Sequence, residues 1–391
     1  MKILHAPPES RRRRSRIEVA DFAGHRRETL LDRRSADIQR SGSSSRGRAI
    51  LRHQSDDGVK PPLPLRFDEH SPSRPPYARL VAVKEFLLDR LVGSEALVER
   101  LLIGMIADGH ILIEGAPGLA KTRAAKLFAR ALDLSFARIQ CTPDLMPADI
   151  TGTSIWRPDR GVFEFSAGPV FHSLLLVDEI NRAPPKVQSA LLEAMAERQA
   201  TVGGDTRALP DPFMTVATQN PIEQEGVFPL PEAQLDRFML HVALALPDAV
   251  AERRILDLVE REAFREPPPP PAMLDAQAIR AARVEANEVF LSPAVKDYIV
   301  RLVTAPRDRS LVPELAAKID HPASPRGTLA LAASARARAY LAGRDHVLPE
   351  DVADLAADVL SHRTILSWRA LAEGDTARGV VQAYLDVVDP A

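Results

Sequence analysis

The sequence of 391 residues predicts an α/β fold, a three-layer core built on a parallel sheet with a small all-helical lid domain behind it. Three observations predict it. Short apolar runs at His110–Glu114, Ser135–Cys141, Ser173–Asp178, Phe213–Thr218 and Met239–Ala245 are separated by segments of helical periodicity or by hairpin-like stretches. That order is the pattern of parallel strands with crossover helices. After Pro247 the strand-like runs stop, while helical spacing continues at Ala249–Phe264, Ala276–Asn287, Ser292–Thr304, Thr328–Ala342 and Pro349–Leu360. Third, a glycine loop joins the first apolar run to a helix over Arg123–Leu132, the setting of a phosphate-binding loop.

That loop reads Gly115, Ala116, Pro117, Gly118, Leu119, Ala120, Lys121, Thr122, and Arg123 continues into the helix. Glycines let successive backbone N–H groups turn inward, and the helix N-terminus adds partial positive charge. Lys121 is placed to reach the β/γ-phosphates of a nucleotide, and the Thr122 hydroxyl to ligate Mg²⁺. The strict pattern G-x-x-x-x-G-K-[ST] has glycine where Ala120 stands. Alanine there is expected to be tolerated as a helix-entry residue with negative φ.

The rest of the chain supplies partners for this loop. Leu174 to Val177 form a four-residue aliphatic run that ends in Asp178 and Glu179. A buried strand of that kind ends beside the loop, so Asp178 is the candidate Mg²⁺ holder and Glu179 the candidate general base toward water. Asn220, closing the next strand, is expected beside Glu179 to orient that water. Arg237 is predicted on a short helix over Pro231–Phe238, as a guanidinium supplied across a subunit boundary. Arg326, at a helix start in the second domain, is expected to reach back to the γ-phosphate.

Upstream, Ala78–Leu91 and Glu95–Ala107 carry apolar residues at i, i+3 and i+4 and predict two helices around the turn Val92-Gly-Ser94. Asp144–Thr151 is short and punctuated, and Gly152–Phe171 and Ala200–Pro210 predict two hairpins, the second turning at Gly203-Gly-Asp205. The segment after Leu360 gives no clear pattern. The resulting division is a tail over 1–75, an α/β core over 76–247, a connecting helix and Pro-rich linker over 248–272, and a helical lid with a C-terminal segment over 273–391.

Hydrophobic residues make up 45% and charged residues 27%, enough to bury a sizeable core, and the scarcity of aromatics at 5% leans toward helices. Cys141 is the only cysteine, which excludes an intramolecular disulfide and fits a cytoplasmic protein. The sequence has neither an apolar run near eighteen residues nor an N-terminal signal core, so no membrane span is expected. Residues 1–75 hold 17 Lys and Arg against 10 Asp and Glu, a net +7, which leaves −9 for the remainder. Rich in Arg, Ser and Pro and without sustained periodicity, the tail reads as mostly disordered. An acidic body argues against nucleic acid as the partner, since strand binding needs basic grooves. No Cys/His metal spacing and no nucleophile elbow are present.

Five strings in this order resemble the MoxR family of AAA+ ATPases: Ile113 to Thr122, Cys141 to Ile150, Val177 to Lys186, Ala217 to Pro221, and Gln224 to Gly226 with Pro229 to Phe238. The resemblance runs from about Leu80 to Leu371, and alanine before the loop lysine is a familiar variant in that family. It implies that Lys121 and Thr122 form the Walker A pair and Asp178 and Glu179 the Walker B pair. Asn220 then matches sensor 1, Arg237 the trans-acting arginine finger and Arg326 sensor 2. It further implies ATP and Mg²⁺ as cofactors, a hexameric ring, and chaperone-like action on a client enzyme, often with a von Willebrand factor A-type partner. The stretches Thr151–Phe171 and Ala200–Phe213 match inserts that line the pore of related rings. On this reading ATP lies between the core and the helical lid. A nucleic-acid motor and a non-catalytic, nucleotide-gated scaffold are the rival readings.

Overall fold

The computed structural model describes residues 17–20, 76–220, 226–264 and 274–390. The Pro267–Pro271 spacer, Gln224 and Glu225, and the tail except Ile17–Ala20 lie outside the described residues.

Five strands form the central sheet: β1 (Ile111–Glu114), β2 (Phe136–Gln140), β3 (Leu174–Asp178), β4 (Met214–Gln219) and β5 (Leu240–Ala243). All pair in parallel, in the spatial order β2-β3-β4-β1-β5. Ile17–Ala20 adds an antiparallel strand to the free edge of β2. The inner strands are near-continuous aliphatic runs because both faces of the sheet are covered. Their alternate side chains serve different cores. Ile111, Ile113, Leu174, Leu176, Met214 and Val216 face one apolar cluster, while Leu112, Leu175, Val177 and Ala217 face the other.

On the first face lie α1 (Pro76–Leu88), α2 (Glu95–Ile106) and α3 (Lys121–Ala131). On the second lies α4 (Pro185–Glu197), which packs Val187, Leu191 and Leu192 against the sheet. Between β2 and β3 a hairpin pairs Gly152–Arg157 with Val162–Ala167, and between α4 and β4 a second pairs Gln199–Val202 with Asp205–Ala208. Gly203 and Gly204 both take positive φ in the second turn, the conformation a two-residue hairpin demands.

After β5 comes α5 (Ala249–Phe264), followed by the lid helices α6 (Ala276–Glu288), α7 (Pro293–Thr304), α8 (Pro325–Leu341), α9 (Pro349–Leu360) and α10 (Ala377–Val387). A short helix forms at Pro313–Ala316, and another at Trp368–Ala372 fills, with α10, the segment after Leu360 where the sequence showed no clear pattern. The lid packs on α1, α2 and the outer edge at β5, and its aliphatics join the first apolar cluster without a break. Among the described residues no helix is long and apolar enough to cross a membrane.

His110, at the root of β1, has a consequence for stability. It is buried, its Nδ1 accepts the Thr215 N–H at 3.0 Å, and its Nε2 therefore carries the proton it gives to the Met195 carbonyl at 3.2 Å. Burial first, and the Arg198 charge second, push its pKa from 6.5 down to about 3. The unfolded chain takes up a proton near pH 6.5 that the folded chain refuses. This contribution is therefore complete above pH 6.5 and declines as pH falls toward 3, by up to ~1.4 kcal/mol per pH unit. Burial lowers the His362 pKa as well, with the same sign. The melting temperature is expected to fall from pH 7 to pH 5, and His110→Asn to flatten that fall. A flat wild-type profile would contradict the neutral buried imidazole.

Candidate functional site

The loop Gly115–Ala120 links the C-terminal end of β1 to the first turn of α3. Gly118 has φ of 87°, and a Cβ placed on it would meet nothing within 4 Å, so the loop encloses open space. Ala120 departs from expectation. Its φ is +54°, not negative, so an alanine occupies the left-handed region where the strict motif has glycine. Such a residue costs about 1 kcal/mol or more relative to glycine. Ala120→Gly is therefore expected to stabilise the fold by up to ~1 kcal/mol, read as a higher melting temperature. A lower one would show that the alanine methyl has a packing role.

Lys121 Nζ donates to the carbonyls of Gly115 at 2.5 Å and Gln219 at 3.0 Å, which holds the ammonium over the loop. Thr122 Oγ1 donates to both Asp178 carboxylate oxygens, at 3.1 and 3.2 Å. The predicted hydroxyl–carboxylate pair is thus in place across α3 and β3. Arg123 reaches Glu262 on α5 at 2.7 Å and ties that helix to the loop.

Asp178 is buried, and it also accepts from Thr218 Oγ1 at 3.1 Å and Arg138 Nε at 2.8 Å. Glu179 follows with φ of 57°, a left-handed position that turns its side chain away from the strand axis. Its carboxylate accepts from Gln140 Nε2 at 2.9 Å and from Arg182 at 3.3 Å, and its N–H donates to Thr218 Oγ1 at 3.0 Å. Asn220 is buried at the end of β4, two residues beyond Thr218, and its carbonyl accepts from Asn181. Lys121, Thr122, Asp178, Glu179 and Asn220 are therefore gathered at one end of the sheet. Cys141 follows β2 in the same place, and burial together with the two carboxylates pushes its thiol up to about 12, so it stays protonated.

Sequence reasoning missed Arg138 and Gln140, which are bonded to each other at 2.7 Å and hold the two carboxylates. A signal existed. In Phe136-Ala-Arg-Ile-Gln140 the polar residues alternate with apolar ones, so both stand on one face of a strand that is otherwise buried. Glu262 carried no such signal, because its contact is with a loop 139 residues away in sequence.

A cleft of about 580 Å³ opens from the loop between Val92-Gly-Ser94, Leu244 to Asp248 and α5. Its size and apolar walls suit a nucleoside beside the phosphate loop. The residues that line it come from the core and α5, with none from 274 onward. The cleft is thus walled by the core and α5, whereas the sequence led us to expect the helical lid as its second wall. The lid spends its apolar surface on α1, α2 and β5 instead.

The two arginines lie elsewhere. The predicted helix around Arg237 is shorter than expected, Glu232–Leu235, and Arg237 sits in the turn after it, donating to the Leu192 carbonyl at 2.6 Å. Met239 N–H bonds the His110 carbonyl, which places this turn at the N-terminal end of the parallel sheet, opposite the phosphate loop. Arg326 joins it there, 3.4 Å from Asp236. Strand β1 alone, at ~3.3 Å per residue, keeps that end more than ~10 Å from the loop. Arg326 is thus not placed to reach back to the γ-phosphate of its own chain. It shares the far end with Arg237 because the lid docks on the outer edge at β5.

A parallel sheet with a phosphate loop at its switch point, a strand-end Asp-Glu pair and a helical lid defines an AAA-class ATPase fold. The family model for the ATPase family associated with various cellular activities matches residues 110–240, and an AAA lid domain model matches 315–383. Chaperone MoxR1 of Mycobacterium tuberculosis is 44% identical over 300 residues, covering 76% of this chain and 78% of that protein. Protein MoxR of Methylorubrum extorquens is 31% identical over 293 residues, covering 71% and 84%. A crystal structure from Cytophaga hutchinsonii superposes with a TM-score of 0.74 at 42% identity, covering 80% of this chain and 95% of that one. The chain belongs to the MoxR family of AAA+ ATPases.

Proposed function

We propose that this protein is an ATPase that works as an oligomeric ring, a hexamer on the family pattern, and couples Mg²⁺-dependent hydrolysis to the remodelling or maturation of a partner protein. One observation carries the reading. Each chain holds a phosphate loop with its carboxylates at one end of the sheet and two arginines at the other, so one chain's arginines meet another chain's loop when copies pack head to tail.

In this reading Lys121 exchanges its two carbonyl partners for phosphate oxygens. Thr122 and Asp178, already bonded to each other, would hold Mg²⁺, which would supply positive charge to offset that of the phosphates. Glu179 accepts the proton of the attacking water, Asn220 orients that water, and Gln140 and Arg182 hold the Glu179 carboxylate in position until it acts. Arg237 and Arg326 of the neighbouring copy stabilise charge on the transferring phosphoryl group.

The first hairpin supports action on a protein. Trp156 and Phe163 meet with ring centres 5.1 Å apart and planes tilted by 57° while remaining 49% and 70% exposed, and Arg207 of the second hairpin anchors the unit through the Phe165 ring at 4.2 Å. Exposed aromatics on a braced hairpin fit an extended polypeptide client. The relative named as a chaperone agrees with this, and a von Willebrand factor A-type adaptor remains part of the proposal. The test is ATPase rate against protein concentration, with mass measured in parallel. Specific activity should rise steeply as the large oligomer forms, and full activity in a monomer would refute the shared site.

A further inference from the structure

Asp236 is the residue through which the lid grips the turn that carries Arg237. Its Oδ1 accepts from Arg363 Nε at 2.8 Å, and its Oδ2 from Ser324 Oγ at 3.2 Å and Arg326 at 3.4 Å. Ser324 at the same time caps α8 by accepting the Arg326 N–H, so the helix start, its arginine and Asp236 close into one ring of bonds. Arg363 is buried and continues the grip along the backbone, donating to the carbonyls of Asp236 at 3.1 Å, Phe238 at 2.7 Å and Met239 at 3.2 Å. Two guanidinium groups, at 326 and 363, therefore stand at a carboxylate that is itself 19% exposed and that directly precedes Arg237 in the turn. Without that charge they would repel one another, and the turn would lose its fixed place on the lid.

We propose that Asp236 is a positioning residue that makes Arg237 and Arg326 a single donor unit and fastens that unit to the lid. Asp236 does not touch nucleotide. Its carboxylate sets the spacing of the two arginines, and a rotation of the lid carries both toward or away from the neighbouring copy's phosphates together. The inference rests on the reading that Arg237 acts across a subunit boundary, and the experiment below separates the two.

Mixed assemblies supply the test. Lys121→Ala disables its own site but presents intact arginines, while Arg237→Ala keeps its own site and presents no finger. If the finger acts in trans, each is inactive alone and mixing them restores turnover. Asp236→Asn should then behave as Arg237→Ala does. Alone, its turnover should fall between ~10- and ~100-fold, the effect of displacing a group by about 1 Å, with affinity for a fluorescent ATP analogue unchanged. It should be rescued by Lys121→Ala and not by Arg237→Ala. Asp236→Glu keeps the charge while moving it, and should lose turnover with ring mass intact, which covers the case in which Asp236→Asn disassembles.

Wild-type turnover in Asp236→Glu, or rescue of Arg237→Ala but not of Asp236→Asn by Lys121→Ala in assembled rings, would overturn the positioning role. Failure of Lys121→Ala to rescue Arg237→Ala would instead overturn the shared site, and the inference with it.

Discussion

Glu179→Gln is expected to bind ATP as tightly as the wild type and to lose between ~10² and ~10⁴ of its turnover. The substitution removes the carboxylate charge, which weakens the pairing with Arg182, and leaves the rest of the site in place. Glutamine has the length to keep a hydrogen bond with Gln140, and the backbone at φ 57° is set by the turn into the following residues, not by the carboxylate. Thr218 still takes the N–H of residue 179. What disappears is an oxygen able to accept the proton of water. The neighbouring Asp178 cannot take over, because Thr122, Thr218 and Arg138 already occupy its carboxylate. Binding depends on Lys121, the loop and the cleft, none of which the substitution touches. A single-turnover assay with titration of a fluorescent ATP analogue reads both quantities. Hydrolysis at the wild-type rate would move the base elsewhere, and weakened binding would mean that the glutamate holds the loop.

The parts of this site that were legible in the sequence are those where chain order and space agree. The aliphatic run Leu174–Val177 could only be a buried strand, and a strand ending in Asp178-Glu179 after a glycine loop leaves its carboxylates little choice of position. The two hairpins were legible for the same reason, since turn residues and alternation are local. Three things were not. The left-handed φ of Ala120 depends on how the loop meets α3, and alanine ordinarily signals the opposite. The pairing of Arg138 and Gln140 with Asp178 and Glu179 depends on the β2–β3 register, which sets Gln140 beside Asp178. The place of Arg326 depends on where the lid docks. A helix start with Ser-Pro-Arg looks alike whether it faces its own nucleotide or the opposite end of the sheet, and only the packing of α6 and α8 on α1 and α2 decides between them.

That docking makes the effect of Arg237→Ala specific in form as well as large. The variant is expected to assemble, because the turn is held by Arg363 and Asp236 and is flanked by the buried Leu230 and Phe238, so its shape survives loss of the guanidinium. It is expected to bind ATP normally, since Arg237 lies at the far end of the sheet from Lys121. Turnover should nonetheless fall by ~10³- to ~10⁵-fold, the range for removing an arginine that stabilises phosphoryl-transfer charge. Arg326→Ala should fall less, because Arg237 remains, and should shift neither assembly nor affinity. The combination excludes simpler accounts. A residue acting in its own chain's site would stay inactive when mixed with Lys121→Ala, and a residue that merely holds the fold would change the mass. An Arg237→Ala protein that hydrolyses ATP at the wild-type rate in an intact oligomer would leave the phosphate loop and its carboxylates standing and remove the neighbour from the chemistry.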